Sequence, residues 1–278
     1  MDSTGTAAGV VGRLQLAFER RGDRTVLAHS YAEPPFRVGP AIDVDGAAYL
    51  ILVCAGPGVF GGDELHQAVH VGRGARVVLT SQSALQVHPA ADPLPATIRQ
   101  TVRIDEDGEL IAEWDPVIPF TGARLDQRFA IDVAPGGRLL WSDALMSGRA
   151  GRGESWRFAS VAHELAVRVD DELAYLERYR LTPAREPTRQ WMAGRADYAG
   201  TVLVVHPGAT AARATELRTQ LDSMNDDGTS AAADAVQDGL VVARLLSISG
   251  RHFAAARESA RTGILESIFG RAAGAKRK

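Results

Sequence analysis

The sequence holds a single cysteine, Cys54, in 278 residues. One thiol cannot form an internal disulfide, which fits a reducing compartment. Its place in the apolar run "AAYLILVCA" (47–55) reads as a buried, inert thiol. Charge of one sign is also missing: 31 basic and 34 acidic residues leave a net charge of -3. That balance excludes the dominant basic face on which nucleic-acid binding depends. Two local basic stretches, 177–190 and the tail "KRK" (276–278), read as solvated chain rather than binding sites. No apolar run approaches the ~20 residues that span a bilayer. The N-terminal stretch lacks a basic segment followed by an apolar core, so no signal peptide is expected and the expected location is cytoplasmic. Aromatic residues make up only 6% of the chain, which argues against a sugar-binding groove with stacking platforms.

Residues 10 to 180 also lack any sustained apolar 3.6 period, so long helices are not expected there. What is present is strand after strand, punctuated by Gly, Pro and Asp. Three segments share one plan: "VGRGARVVLTSQ" (71–82), "IDEDGELIAEWD" (104–115) and "VAPGGRLLWSDA" (133–144), at intervals of 33 and 29 residues. Such recurrence suggests stacked layers of β-structure. Val77, Leu110 and Leu139 point one way; Val78, Ile111 and Leu140 point the other. Strands apolar on both faces are covered on both faces. After residue 198 the pattern becomes strand (201–207), helix (209–224), loop (225–234), strand (239–249) and helix (251–270). The expected fold class is mainly β: stacked, β-helix-like layers of short strands with a C-terminal βαβα appendage. The expected division is a body over 1–197 and an appendage over 198–278, forming one continuous unit.

"GPGVFGGDELH" (56–66) has the G-x-G-x-x-G spacing, yet Leu65, Val69 and Val71 then alternate as a strand and no helix opens. Without a helix N-terminus to hold pyrophosphate, or an acidic residue about 20 positions on, the spacing does not mark a dinucleotide site. Asp63, in "GGD" (61–63), reads either as a turn residue bonding its own backbone or as a functional carboxylate. His66 and His70 lie four apart on an extended strand, roughly 13 Å, too far to share one metal ion. Thr80, Glu113 and Ser142 fall at equivalent places in the three similar segments, with Gln82 and Asp115 on the same parity and Asp143 on the other. If the strands stack, these groups either form a polar track beside a dry core or sit at strand ends in water; buried carboxylates need a partner or a cation.

Three blocks in order, "GPGVFGGDELHQAVHVGRGARVVLTSQSALQVHPA" (56–90), "AEWDPVIPFTGARLDQRFAIDV" (112–133) and "LMSGRAGRGESWRF" (145–158), resemble the UreD (UreH) urease accessory family. The similarity runs over roughly residues 15 to 270. It departs at "WDP" (114–116), at "LQVHP" (85–89) and in the C-terminal "FGRAAGAKRK". The resemblance implies a non-enzymatic maturation factor that joins an F-type helical accessory protein, a G-type GTPase and apo-urease to assemble a dinuclear nickel site. It implies no tightly bound cofactor, only transient Ni²⁺ on an internal path. Asp63, Asp115, Asp143 and Glu154 match acidic or polar positions of these blocks, with Glu64, Glu113 and Glu177 as further candidates for that path. The alternative reading is a β-solenoid-like carbohydrate-active enzyme using paired acids such as Asp115 and Asp143.

Overall fold

The computed structural model describes residues 9–183 and 195–272. The chain opens with β1 (Val11–Arg21), β2 (Arg24–Ala32), β3 (Phe36–Val38), β4 (Ile42–Val44) and β5 (Ala47–Cys54). Three successive rungs follow. They are β6 (Val59–Phe60), β7 (Glu64–Val71) and β8 (Arg76–Ser81); β9 (Leu85–His88), β10 (Ala96–Ile104) and β11 (Glu109–Glu113); and β12 (Val117–Pro119), β13 (Arg124–Val133) and β14 (Arg138–Met146). Then come β15 (Ser160–Val169), β16 (Glu172–Leu181), β17 (Tyr198–Val205), α1 (Ala211–Asp222), β18 (Thr229–Gln237), β19 (Leu240–Ser247) and α2 (Gly250–Ser267).

The rungs stack as a β-solenoid of about four turns. One sheet has the order β16-β15-β13-β10-β7-β1-β2 and the other β18-β19-β17-β14-β11-β8-β5-β3. Within them β1, β7, β10, β13 and β15 are parallel neighbours, as are β5, β8, β11 and β14. A short third ladder joins β6, β9 and β12. The three similar segments pair in the expected register: Val77 with Leu110 and Leu110 with Leu139, Val78 with Ile111 and Ile111 with Leu140.

The corners explain the repeat. Gly74, Asp107 and Gly136 occupy the same place in three successive turns, and all have positive φ, at 65°, 58° and 73°. Glycine adopts this conformation without a steric cost, and Asp tolerates it better than most residues. Each corner then hands the chain to the next strand in identical register.

Both faces of the second sheet are buried, as the two-sided apolar pattern demands. Leu79, Leu110, Leu139 and Trp141 pack into the core between the sheets. Ile111, Leu140, Val202 and Val204 pack beneath the helices with Leu217, Leu221, Phe253, Ala256, Ala260 and Ile264. Thr210 caps α1 by accepting from Arg213 N, and Ser249 caps α2 by accepting from His252 N.

The C-terminal region carries one strand more than expected. Most of the segment 225–234 belongs to β18, which pairs with β19, so the order there is βαββα. Its sequence, "TSAAADAVQ", hides the strand signal because its inward positions, Ala231 and Ala233, are small. β17 pairs along its length with β14, so this region extends the second sheet directly. No helix among the described residues is long and apolar enough to cross a membrane.

Leu139 is fully buried between the sheets. Leu139→Ala is expected to cost about 2–5 kcal/mol in urea unfolding. Asp107→Gly, which relieves a left-handed backbone, is expected to leave stability unchanged or raise it by up to about 1 kcal/mol in the same assay.

Candidate functional site: polar rows between the sheets

In-register stacking lines up side chains across turns, so a polar residue at one inward position meets its counterpart on the next strand. On the inner face of the first sheet, Leu65, Ile98, Gln127, His163 and Tyr179 form one row. Gln67, Gln100, Phe129, Leu165 and Glu177 form the next. Glutamines, a histidine and an acid therefore face an otherwise apolar interior.

Two cavities open onto these rows. The first, about 160 Å³, is lined among others by Gln67, Gln100, Trp114, Asp115 and Gln127. Ser81 Oγ donates to Asp115 Oδ2 at 3.0 Å and accepts from the Asp115 backbone N–H at 2.8 Å. Gln100 Nε2, Trp114 Nε1 and Gln127 Oε1 are buried here without a hydrogen-bond partner among the described residues. Cys54 also lines this cavity, and burial pushes its thiol pKa up, which keeps it protonated. The second cavity, about 370 Å³, is lined by Asp143, Glu177, Tyr179, Thr201 and Arg244 with Leu145, Trp156, Leu181 and other apolar groups.

Between the cavities stand aromatic and polar groups in contact. Gln127 Nε2 lies 2.7 Å from His163 Nδ1, and His163 stacks on Tyr179 with ring centroids 4.8 Å apart. Phe129 packs on Trp141 at 5.1 Å, and Trp141 meets Trp114 edge-on at 5.8 Å. Trp141 Nε1 donates to Asp143 Oδ2 at 3.0 Å. From outside, Arg257 of α2 fixes the partition. Its Nε donates to Ser142 Oγ at 2.7 Å, and its Nη2 to the carbonyls of Trp114 and Ser142 at 2.6 and 3.1 Å. Those two residues immediately precede Asp115 and Asp143.

Burial raises the Asp143 carboxyl above its ordinary value, and the charge of Glu177 adds to the effect. Asp143 borders its cavity, yet protein surrounds it. Burial, then Asp143 and Glu177, push Tyr179 far above the usual phenol range.

The seven candidate acids separate into groups. Asp115, Asp143 and Glu177 face the cavities between the sheets. Asp63 is buried at the end of the stack, where Oδ1 accepts from Val10 N and Oδ2 from Phe60 N, both at 2.8 Å. It locks a loop in which a Cβ on Gly58 would stand 2.3 Å from Gln86 O. Glu64 is exposed on the outer face of the first sheet, 3.4 Å from His66. Glu113 lies on the helix-covered face of the second sheet, 3.1 Å from Arg261 Nε. Glu154 receives both Arg149 Nε and Nη2, at 2.7 and 2.5 Å, and this pairing holds its pKa low. Asp115 and Asp143, the acids of the alternative glycosidase reading, line different cavities.

Sequence reasoning missed Gln67, Gln100, Gln127, His163 and Arg244. The first four had a readable signal: each sits between apolar residues at i−2 and i+2 on strands whose alternation is otherwise strict. Arg244 had none, because its partner lies 67 residues away. Among the described residues, no cluster of three or more His, Cys, Asp or Glu side chains forms a preorganised metal site. Asp143 and Glu177 offer carboxylate oxygens, a donor set that suits weak and exchangeable binding of a divalent ion.

Asp63→Ala leaves two backbone donors without their acceptor and is expected to cost roughly 2–4 kcal/mol in chemical unfolding, with Asp63→Asn costing less. Asp143 holds its proton more tightly in the folded chain than in the unfolded one. Its contribution to stability is therefore greatest at low pH and is lost as pH rises from about 4 through its raised folded value. Asp143→Asn should flatten that decline in a series of Tm measurements between pH 4 and 7.

The family model described as UreD urease accessory protein matches residues 10–278. The urease accessory protein UreD of Sorangium cellulosum is 34% identical over 205 residues, 74% of this chain and 65% of that protein. UreD of Anaeromyxobacter sp. strain Fw109-5 is 30% identical over 241 residues, 86% of this chain and 80% of the relative. UreD of Ralstonia nicotianae is 32% identical over 219 residues, 77% and 73% of the two chains. For the Sorangium protein the match spans slightly less than two thirds of the relative's own length. A match over nearly the whole chain, on a fold built as the sequence requires, establishes that this protein belongs to the UreD urease accessory protein family.

Proposed function

We propose that the chain is a cytoplasmic urease maturation factor. It serves as the scaffold that joins an F-type helical accessory protein and a G-type GTPase to apo-urease, and it passes Ni²⁺ along an internal route. Nickel is cargo here, and no resident cofactor is involved. The observation that carries this reading is the pair of cavities between the sheets, one bearing Asp115 and the other Asp143 and Glu177, with the contacting polar side chains of Gln127, His163 and Tyr179 between them. A dry solenoid core has no need of carboxylates, and burying them is costly without a cation or donors to offset it. The unpartnered polar atoms of Gln100, Trp114 and Gln127 make the first cavity a suitable place for water. Oxygen donors in small number hold a divalent ion loosely, which is what transfer requires, because a tight site would trap it.

The scaffold and conduit roles separate by mutation. Asp143→Asn with Glu177→Gln should lower urease activation roughly tenfold or more in cells that co-express the accessory proteins and urease. The variant chain should still co-purify with its partners. Activation at the wild-type level would remove the internal route and leave the scaffold role standing.

A further inference from the structure

The second cavity already has a cation at its mouth. Arg244 comes from β19 of the second sheet and reaches across to Glu177 on β16, the outer strand of the first. Its Nη1 donates to Glu177 Oε1 at 2.5 Å and to Thr201 Oγ1 at 2.8 Å, and its Nη2 donates to Tyr175 OH at 2.6 Å. Tyr175 and Thr201 in turn donate to Glu177 Oε2, at 3.2 and 3.3 Å. Every oxygen of this carboxylate is therefore engaged, one of them by a full positive charge.

The two partners differ in their surroundings. The Glu177 side chain is 9% exposed, whereas the Arg244 side chain is 49% exposed. The acid is fixed inside and the guanidinium arrives from solvent, so the arginine is the partner with room to leave. Asp143 lines the same cavity and lies close enough for its charge to act on Arg244. Burial works against the Arg244 charge, but its hydrogen bond to Glu177 and the charges of Glu177, Tyr175 and Asp143 together outweigh that cost and hold its pKa up. A guanidinium stays protonated at any relevant pH and has no lone pair to give a metal. It can only compete with a metal ion for the acid, never help to bind it.

We propose that Arg244 is a displaceable counter-ion that guards this cavity: it holds Glu177 in the resting chain and swings outward when a divalent cation takes its place. The exchange sets the affinity of the cavity. An incoming ion gains the carboxylates but must break a charge-assisted pair, so it binds more weakly than the acids alone would hold it. When the ion leaves, Arg244 returns and blocks recapture. The inference rests on the conduit reading above, and its test is built so that the two can fail separately.

The test is equilibrium dialysis of nickel chloride against the full-length chain, with urease activation in co-expressing cells as the second readout. Arg244→Met and Arg244→Gln remove the competing charge. Each is expected to bind nickel about tenfold more tightly, the effect of losing one charge-assisted pair, and to support less activation. Arg244→Lys, which keeps a positive charge, should bring both readouts back toward the wild-type values. A residue that merely bolts the sheets together would lower Tm without tightening nickel binding. Unchanged or weaker nickel affinity in the Met and Gln variants would therefore overturn the gate; if the Met variant does not fold, the Gln variant gives the same readout. Wild-type nickel binding and activation in Asp143→Asn and Glu177→Gln would instead sink the conduit reading itself.

Discussion

Parallel strands stacked in register are the constraint on which the rest of this molecule depends. Each turn places its side chains directly over those of the turn before, so whatever chemistry one strand presents is continued by the next. For apolar positions the result is a continuous core. For polar positions it is a row: Gln67 beside Gln100, Gln127 beside His163, His163 beside Tyr179. An isolated buried polar group would be a defect, whereas in a row each member can find its hydrogen-bond partner in the next or in water.

The helices give the same interior a handle. Arg257, on α2, is mostly buried, and burial lowers its pKa; its hydrogen bonds go to backbone carbonyls and a serine hydroxyl beside Asp115 and Asp143. Glu113 faces Arg261 of the same helix, and Glu109 near the start of the strand receives Arg271 at 2.7 Å. The carboxylates on this face of the second sheet thus anchor the C-terminal helix and tail, while Asp143, on the opposite face of β14, lines a cavity. One strand pair, β11 and β14, serves both purposes because alternate residues point to opposite sides.

Much of this was legible before any coordinates. The plan shared by residues 71–82, 104–115 and 133–144 fixes the stacking, and its two-sided apolar pattern requires cover on both faces. The stripe of α2 through Phe253, Ala256, Ala260 and Ile264 is buried as its spacing implies. Less was legible of the site. Parity separates Glu113 from Asp143, but sequence alone does not say which face a helix will cover. The GGD segment offered a turn residue or a functional carboxylate, and only the 2.8 Å bonds to Val10 and Phe60 show how Asp63 is held. Two partners of Glu177, Arg244 and Thr201, come from another sheet, beyond the reach of any local pattern. Alanines at inward positions concealed β18 for a related reason, since small residues give no periodic signal to read.

On the proposed reading, nickel passes through the interior of the solenoid rather than over its surface. Anomalous X-ray diffraction at the nickel edge, from crystals of the full chain with its accessory partners soaked in nickel, tests this most directly. The account predicts a peak in the cavity between Asp143 and Glu177. Peaks confined to the outer face of the first sheet, at exposed groups such as His66, His70 and Glu64, would contradict it.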